Sequence, residues 1–165
     1  DLNKILNLRK FENQFFTSSG LYFSKEINLF PKKIENILKI TARSNGTWNK
    51  YSIHLINILE RYFKNIGKNF HTFNSYNIKS KGNVEFKFEN LVVELKLNSN
   101  DYMGVAFEFE MINNKNIKII FNDTYNAFSL LLKSFILQVK GSTSLFKDED
   151  YVRTVMAIET GNNEK

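Results

Sequence analysis

Six polar residues, Lys50, His54, Asn57, Arg61, Lys64 and Lys68, follow one another at steps of 4, 3, 4, 3 and 4, the spacing that lines side chains along one edge of a helix. Five of the six can carry positive charge. Together with Lys32, Lys33, Lys39 and Arg43 just upstream, such an edge can follow a phosphate backbone, and Trp48 or Tyr51 at the helix start offers a ring to an unpaired base. A second group is acidic. Glu85 and Glu94 fall on two neighbouring alternating segments, with Lys96 two residues beyond Glu94. Opposed like charges need compensation, and a Mg²⁺ ion held by carboxylate oxygens is one way to supply it. Other chemistries are excluded. Without any cysteine there is no disulfide framework, thiol nucleophile or thiolate-held metal. The two histidines, His54 and His71, share no ligand-box spacing, and the seven glycines form no phosphate-cradling loop or nucleophile elbow.

The elements that must position these groups follow from apolar spacing. Leu2, Ile5, Leu6, Leu8, Phe11, Phe15 and Phe16 recur at helical steps before Ser18-Ser19-Gly20, predicting a first helix. Leu21 to Phe30 reads as an extended or irregular connection. Pro31 suits the first turn of a second, short helix through Ile34, Ile37, Leu38 and Ala42. Thr47 then caps a third helix, whose buried stripe is Ile53, Ile56, Leu59, Phe63 and Ile66 and which Gly67 closes.

The period then changes to two. Val84, Phe86 and Phe88 alternate with polar residues, as do Leu91, Val93, Leu95 and Leu97. A turn at Glu89-Asn90 pairs Phe88 with Leu91, Phe86 with Val93 and Val84 with Leu95, which sets Glu85 opposite Glu94. A second hairpin turns inward Val105, Phe107, Phe109 and Met111, then Ile117, Ile119 and Phe121, with a turn over Asn113-Asn114-Lys115 and Glu110 opposite Lys118. Asp123 or Thr124 caps a helix that ends at Gly141. Residues 151–159 suit a helix or a strand, and the acids Asp148, Glu149 and Asp150 at the start favour the helix. The chain is therefore expected to be one α+β domain: mainly helical and basic over 1–68, a four-stranded antiparallel β-meander over 83–122, a helix over 123–140 and a helical tail over 141–165. The C-terminal helices are expected on one sheet face, with Glu85, Lys87, Glu94, Lys96, Glu108, Glu110 and Lys118 on the other.

The run Leu91-Val92-Val93-Glu94-Leu95-Lys96 resembles the strand of PD-(D/E)xK nucleases that carries the Glu-x-Lys half of their site. That resemblance implies Mg²⁺ on Glu85 and Glu94, a water-positioning role for Lys96, and Glu60 as a further acid. It spans about six residues, with Glu in place of the usual first Asp and a hairpin where that family has a helix. Four strands followed by a helix also resemble one repeat of the whirly single-strand-binding fold, and the turn Ser44-Asn45-Gly46-Thr47 is similar to that of a helix-turn-helix.

The net charge is +6 over 165 residues, with fourteen basic and five acidic side chains in residues 1–82 against nine and twelve in 83–165. A polyanion should therefore meet the first half. Nineteen of the 23 basic residues are lysine amid abundant Asn, Ile and Phe, so part of this basicity is compositional. No apolar run is long enough to span a bilayer. The start at Asp1, without a signal-peptide pattern, reads as an excised or processed piece; a cysteine-free chain leaves the compartment open, with an intracellular one the expectation. Three functions follow: a non-enzymatic nucleic-acid-binding domain, or component of a nucleic-acid-associated assembly, using Lys32, Lys33, Lys39, Arg43, Trp48, Lys50, Arg61, Lys64 and Lys68; a protein–protein interaction or structural module, with a protein partner or a homo-oligomer; or a Mg²⁺-dependent nuclease using Glu85, Glu94 and Lys96.

Overall fold

A computed structural model describes residues 4, 7, 16–97, 104–142 and 144–162 of the chain. Most of the helix expected over Leu2 to Phe16 lies outside the described residues. Three short 3-10 turns, Gly20–Phe23, Lys25–Leu29 and Ile34–Asn36, lead into strand β1 (Ile37–Ser44) and helix α1 (Trp48–Asn65). Strands β2 (Ser75–Ser80), β3 (Asn83–Lys87), β4 (Val92–Leu97), β5 (Val105–Met111) and β6 (Asn116–Phe121) follow, then helices α2 (Thr124–Val139) and α3 (Asp148–Asn162). The class is α+β, as expected.

The sheet, however, has six strands in the order β2-β3-β4-β1-β5-β6, and β1 runs parallel to β4 and antiparallel to β5. This corrects the four-stranded antiparallel meander. The short helix expected after Pro31 is the central strand: Ile40, Ala42 and Ser44 are buried on one side, while Lys39, Thr41 and Arg43 point to the other. Three- and four-residue apolar steps and strand alternation coincide over so short a run, and pairing on both edges decides for the strand. Strand β2 gave no signal because Ser75-Tyr76-Asn77-Ile78-Lys79-Ser80 is an exposed edge with little apolar alternation.

The first hairpin has the expected register, Val84 with Leu95, Glu85 with Glu94 and Phe86 with Val93. The second differs: Lys118 pairs with Glu108, and Glu110 with Asn116. Its loop closes at Met111, whose N–H donates to the Lys115 carbonyl at 2.9 Å, and Asn114 takes a left-handed φ of 60°. A shift of two preserves every inward residue, so the core is unaffected.

Helix α1 lies on the apolar sheet face. Its Leu55, Ile56, Ile58, Leu59 and Phe63 are buried with Ile40, Ala42, Val84, Phe86, Val93 and Leu95. Gly67, at φ +71°, ends the helix as Lys68 N–H reaches back to the Phe63 carbonyl at 2.8 Å. Residues 16–24 and α3 cover the outer side of α1, and α2 rests on the Gly20–Phe23 turn. A Cβ on Gly20 would stand 3.0 Å from the Phe128 ring, so glycine lets the helix approach that closely.

Candidate functional site

The alternation of β1, β3, β4 and β5 sends all their charged side chains to the sheet face opposite α1. Register places Asn77, Glu85, Glu94, Thr41, Glu108 and Lys118 in one row across the six strands. The acids of that row are interleaved with cations from the row itself and from its neighbours. Lys39 Nζ lies 2.7 Å and Lys96 Nζ 3.1 Å from Glu94 Oε2, while Lys79 and Lys87 hold Glu85 and Arg43 and Lys118 hold Glu108. Glu94 and Glu85 are only 3% and 7% exposed. Desolvation pushes the Glu94 carboxyl up, but hydrogen bonds from Lys39 and Lys96 outweigh it and hold the pKa below the usual carboxylate value. The Glu85 pKa is lowered chiefly by its hydrogen bond from Lys79.

The structure thus brings Glu85, Glu94 and Lys96 together, but with their carboxylates already compensated by lysine. Among the described residues no group of three or more His, Cys, Asp and Glu is arranged to hold a metal ion. Glu60 is elsewhere, on the opposite side of the sheet with α1.

The polar edge of α1 has a different fate from the solvent stripe expected. His54 Nδ1 is 2.7 Å from Ser19 Oγ, Asn57 Oδ1 accepts the Ser19 N–H at 2.9 Å, and Asn57 Nδ2 donates to Glu60 at 2.9 Å. Glu60 Oε1 also meets His71 Nε2 at 2.8 Å and the Thr154 hydroxyl at 2.6 Å. Ser19 Oγ also accepts the Leu21 N–H. Burial lowers the His54 pKa. Arg61 donates to the carbonyls of Tyr22 and Ser24 and lies over the Tyr22 ring. The middle of the stripe is therefore an internal seam that binds the 3-10 turns and α3 to α1.

Only the ends of the expected basic surface remain outside. Lys32, Lys33, Lys50, Lys64 and Lys68 are exposed, whereas Lys39 and Arg43 lie on the far sheet face because their segment is a strand. Trp48 is 5% exposed and its indole N–H donates to the Ile158 carbonyl at 2.7 Å. It closes the α1–α3 interface rather than offering a stacking ring, and the expectation for it is corrected. A Cβ on Gly161 would stand 2.1 Å from the same indole. Lys64, Lys68 and Arg153 rim a cavity of about 210 Å³ floored by Phe70 and the Glu60–His71 pair.

The feature that composition and motif reading missed is the exposed apolar face of α2, a helix expected from the sequence. Asp123 caps it, its carboxylate accepting the Asn126 N–H at 3.3 Å, and Lys25 holds Asp123 at 2.7 Å. Only Ala127 and Gln138 of this helix are buried, and Leu131 and Ser134 are half-buried. Outward it shows Tyr125, Phe128, Leu132, Phe135 and Val139, exposed by 85%, 55%, 58%, 44% and 63%. These recur at steps of 3, 4, 3 and 4, the seam spacing of paired helices. Leu130, Ile136 and Leu137 are also exposed. Leu130 and Leu137 lie about 140–160° round the helix from Leu132; at ordinary side-chain areas the other six leave on the order of 700 Å² of apolar surface in water on one side of the helix, above the few hundred typical of a monomer. The signal was present in the high apolar content of Phe128 to Val139, broken only by Ser129, Lys133, Ser134 and Gln138, which a one-face core helix does not need. No protein-family model, curated protein or solved structure matches this chain.

Proposed function

We propose that this domain is a protein-interaction module whose docking surface is the outward face of α2. The observation that carries the reading is the apolar outer face of that helix: Tyr125, Leu132 and Val139 are more than half exposed, and Phe128 and Phe135, which touch Gly20 and Phe16, are still exposed by 55% and 44%. Hydrophobic burial favours covering such a face at roughly 25 cal/mol per Å², and a protein surface of matching apolar character is the cover.

The nucleic-acid reading is weaker because Arg61 and Trp48 are engaged internally and Lys39 and Arg43 are separated from α1 by the sheet. The nuclease reading is weaker because the Glu94 carboxylate is already held by two ammonium groups.

Leu132→Glu and Phe135→Glu test the proposal. Both positions are exposed, so folding stability should change by less than about 0.5 kcal/mol, while binding of a hydrophobic fluorescent dye should fall severalfold. Dye binding that is indifferent to both changes, or unfolding by either, defeats the proposal.

A further inference from the structure

The cavity between the end of α1 and the start of α3 combines aromatic walls with a cationic rim, and none of its lining residues belongs to α2. Tyr22 and Phe146 meet edge to face in its wall with ring centroids 4.8 Å apart, and Phe70 packs on the His71 ring at 5.5 Å. Its volume is about 210 Å³. That exceeds the ~150 Å³ that holds one benzene ring and falls short of the ~300 Å³ at which sites for drug-sized molecules begin. A single aromatic ring with one small substituent is the body that fits.

Charge selects the substituent. Lys64, Lys68 and Arg153 line the cavity together with the carboxylates of Glu60 and Asp150. Both carboxylates are already engaged by the fold. Glu60 meets His71 Nε2 and accepts from the Thr154 hydroxyl and Asn57 Nδ2, and Asp150 accepts the Lys147 N–H at 2.9 Å. The cations are far less committed. Neither Lys64 nor Lys68 has an ion-pair partner among the described residues, and Arg153 is held by Glu149 in an exposed i,i+4 pair, a kind worth little to open. A phosphate monoester carries about −1.5 to −2 charges at neutral pH, so it answers three cations more fully than a carboxylate does. Arg153 adds a planar fork suited to two of its oxygens.

We propose that this cavity binds an aryl phosphate, with the aromatic ring against Tyr22, Phe70 and Phe146 and the phosphate on Lys64, Lys68 and Arg153. Two sources share that chemistry: a free small molecule, and a phosphotyrosine side chain presented by another protein.

Calorimetric titration of the full chain with phenyl phosphate is the test. Phenyl phosphate should bind about tenfold more tightly than inorganic phosphate or phenol alone, because only it fills both halves of the site. The double variant Lys64→Ala/Lys68→Ala should weaken it by about tenfold or more, and both positions are exposed, so the fold persists. Lys50→Ala, about 21 Å away along α1, should leave the affinity unchanged, as should Leu132→Glu on α2. No saturable binding at millimolar phenyl phosphate overturns the proposal. So does affinity no better than that of inorganic phosphate, or a loss in Lys50→Ala equal to that in the double variant, which would mean attraction to charge in general. A phosphotyrosine peptide that binds at least as tightly as phenyl phosphate identifies a protein-borne ligand; exclusion of the peptide while phenyl phosphate binds identifies a free one.

Discussion

Glu85 and Glu94 face one another directly across β3 and β4, both nearly excluded from solvent, and neither is left without a cation: Lys79 and Lys87 serve the first, Lys39 and Lys96 the second. An opposed acidic pair within the sheet is thus a structural feature of this fold, compensated by lysines. Removing one lysine should expose the repulsion. Lys39→Met is expected to cost about 1–3 kcal/mol in urea unfolding at neutral pH, while the double variant with Glu94→Gln recovers most of that loss. Addition of Mg²⁺ should not restore Lys39→Met; restoration would revive the metal-site reading.

The same pair sets an acid limit. Both folded-state pKa values lie below the ordinary 4.5, so the unfolded chain takes up these protons first as pH falls. The stabilisation is complete above the unfolded value and disappears as pH drops through the lowered folded values. Glu85→Gln and Glu94→Gln should each make stability less dependent on pH below 4.5, read from thermal unfolding across the acid range.

His54 gives a second, higher window. Burial lowers its pKa from 6.5, so the unfolded state protonates first below that value and stability declines as pH falls from neutrality. His54→Gln should cost about 1 kcal/mol at neutral pH through the lost Ser19 bond and should flatten the decline. An unaltered slope would place the titrating group elsewhere.

Arg61 separates a structural cation from surface ones. Its guanidinium holds the carbonyls of Tyr22 and Ser24, so Arg61→Ala should destabilise by about 2 kcal/mol. Lys64→Ala and Lys68→Ala should stay within about 0.5 kcal/mol. In a salt-dependent polyanion titration, the surface lysines are then the clean probes, and unchanged affinity in their double variant removes α1 from any phosphate contact.

Trp48, the only tryptophan, reports on the α1–α3 contact. Its buried indole should emit at short wavelength in the native state and shift to longer wavelength on unfolding. Gly161→Ala drives a methyl into that ring and should cost about 1–3 kcal/mol, with a red-shifted native emission. An unshifted, equally stable variant would mean that α3 packs differently.

Local pattern alone determined much of this protein. Alternation over residues 84–97 fixed both strands of the first hairpin and set Glu85 against Glu94, because a one-residue slip would turn every apolar side chain outward. Helical spacing gave α1, the Asp123 cap gave α2, and the acids at 148–150 gave α3. Tertiary structure decided what each face meets. Whether residues 37–44 are helix or strand depends on β4 and β5, which lie far along the chain and supply hydrogen bonds on both edges. A polar stripe looks the same in sequence whether water or another backbone covers it. Only the return of residues 19–24 and α3 over α1 made Asn57 and Arg61 internal. An apolar stripe carries no label for inside or outside either. It is the docking of α2 with Ala127 and Gln138 innermost that left much of its larger residues exposed.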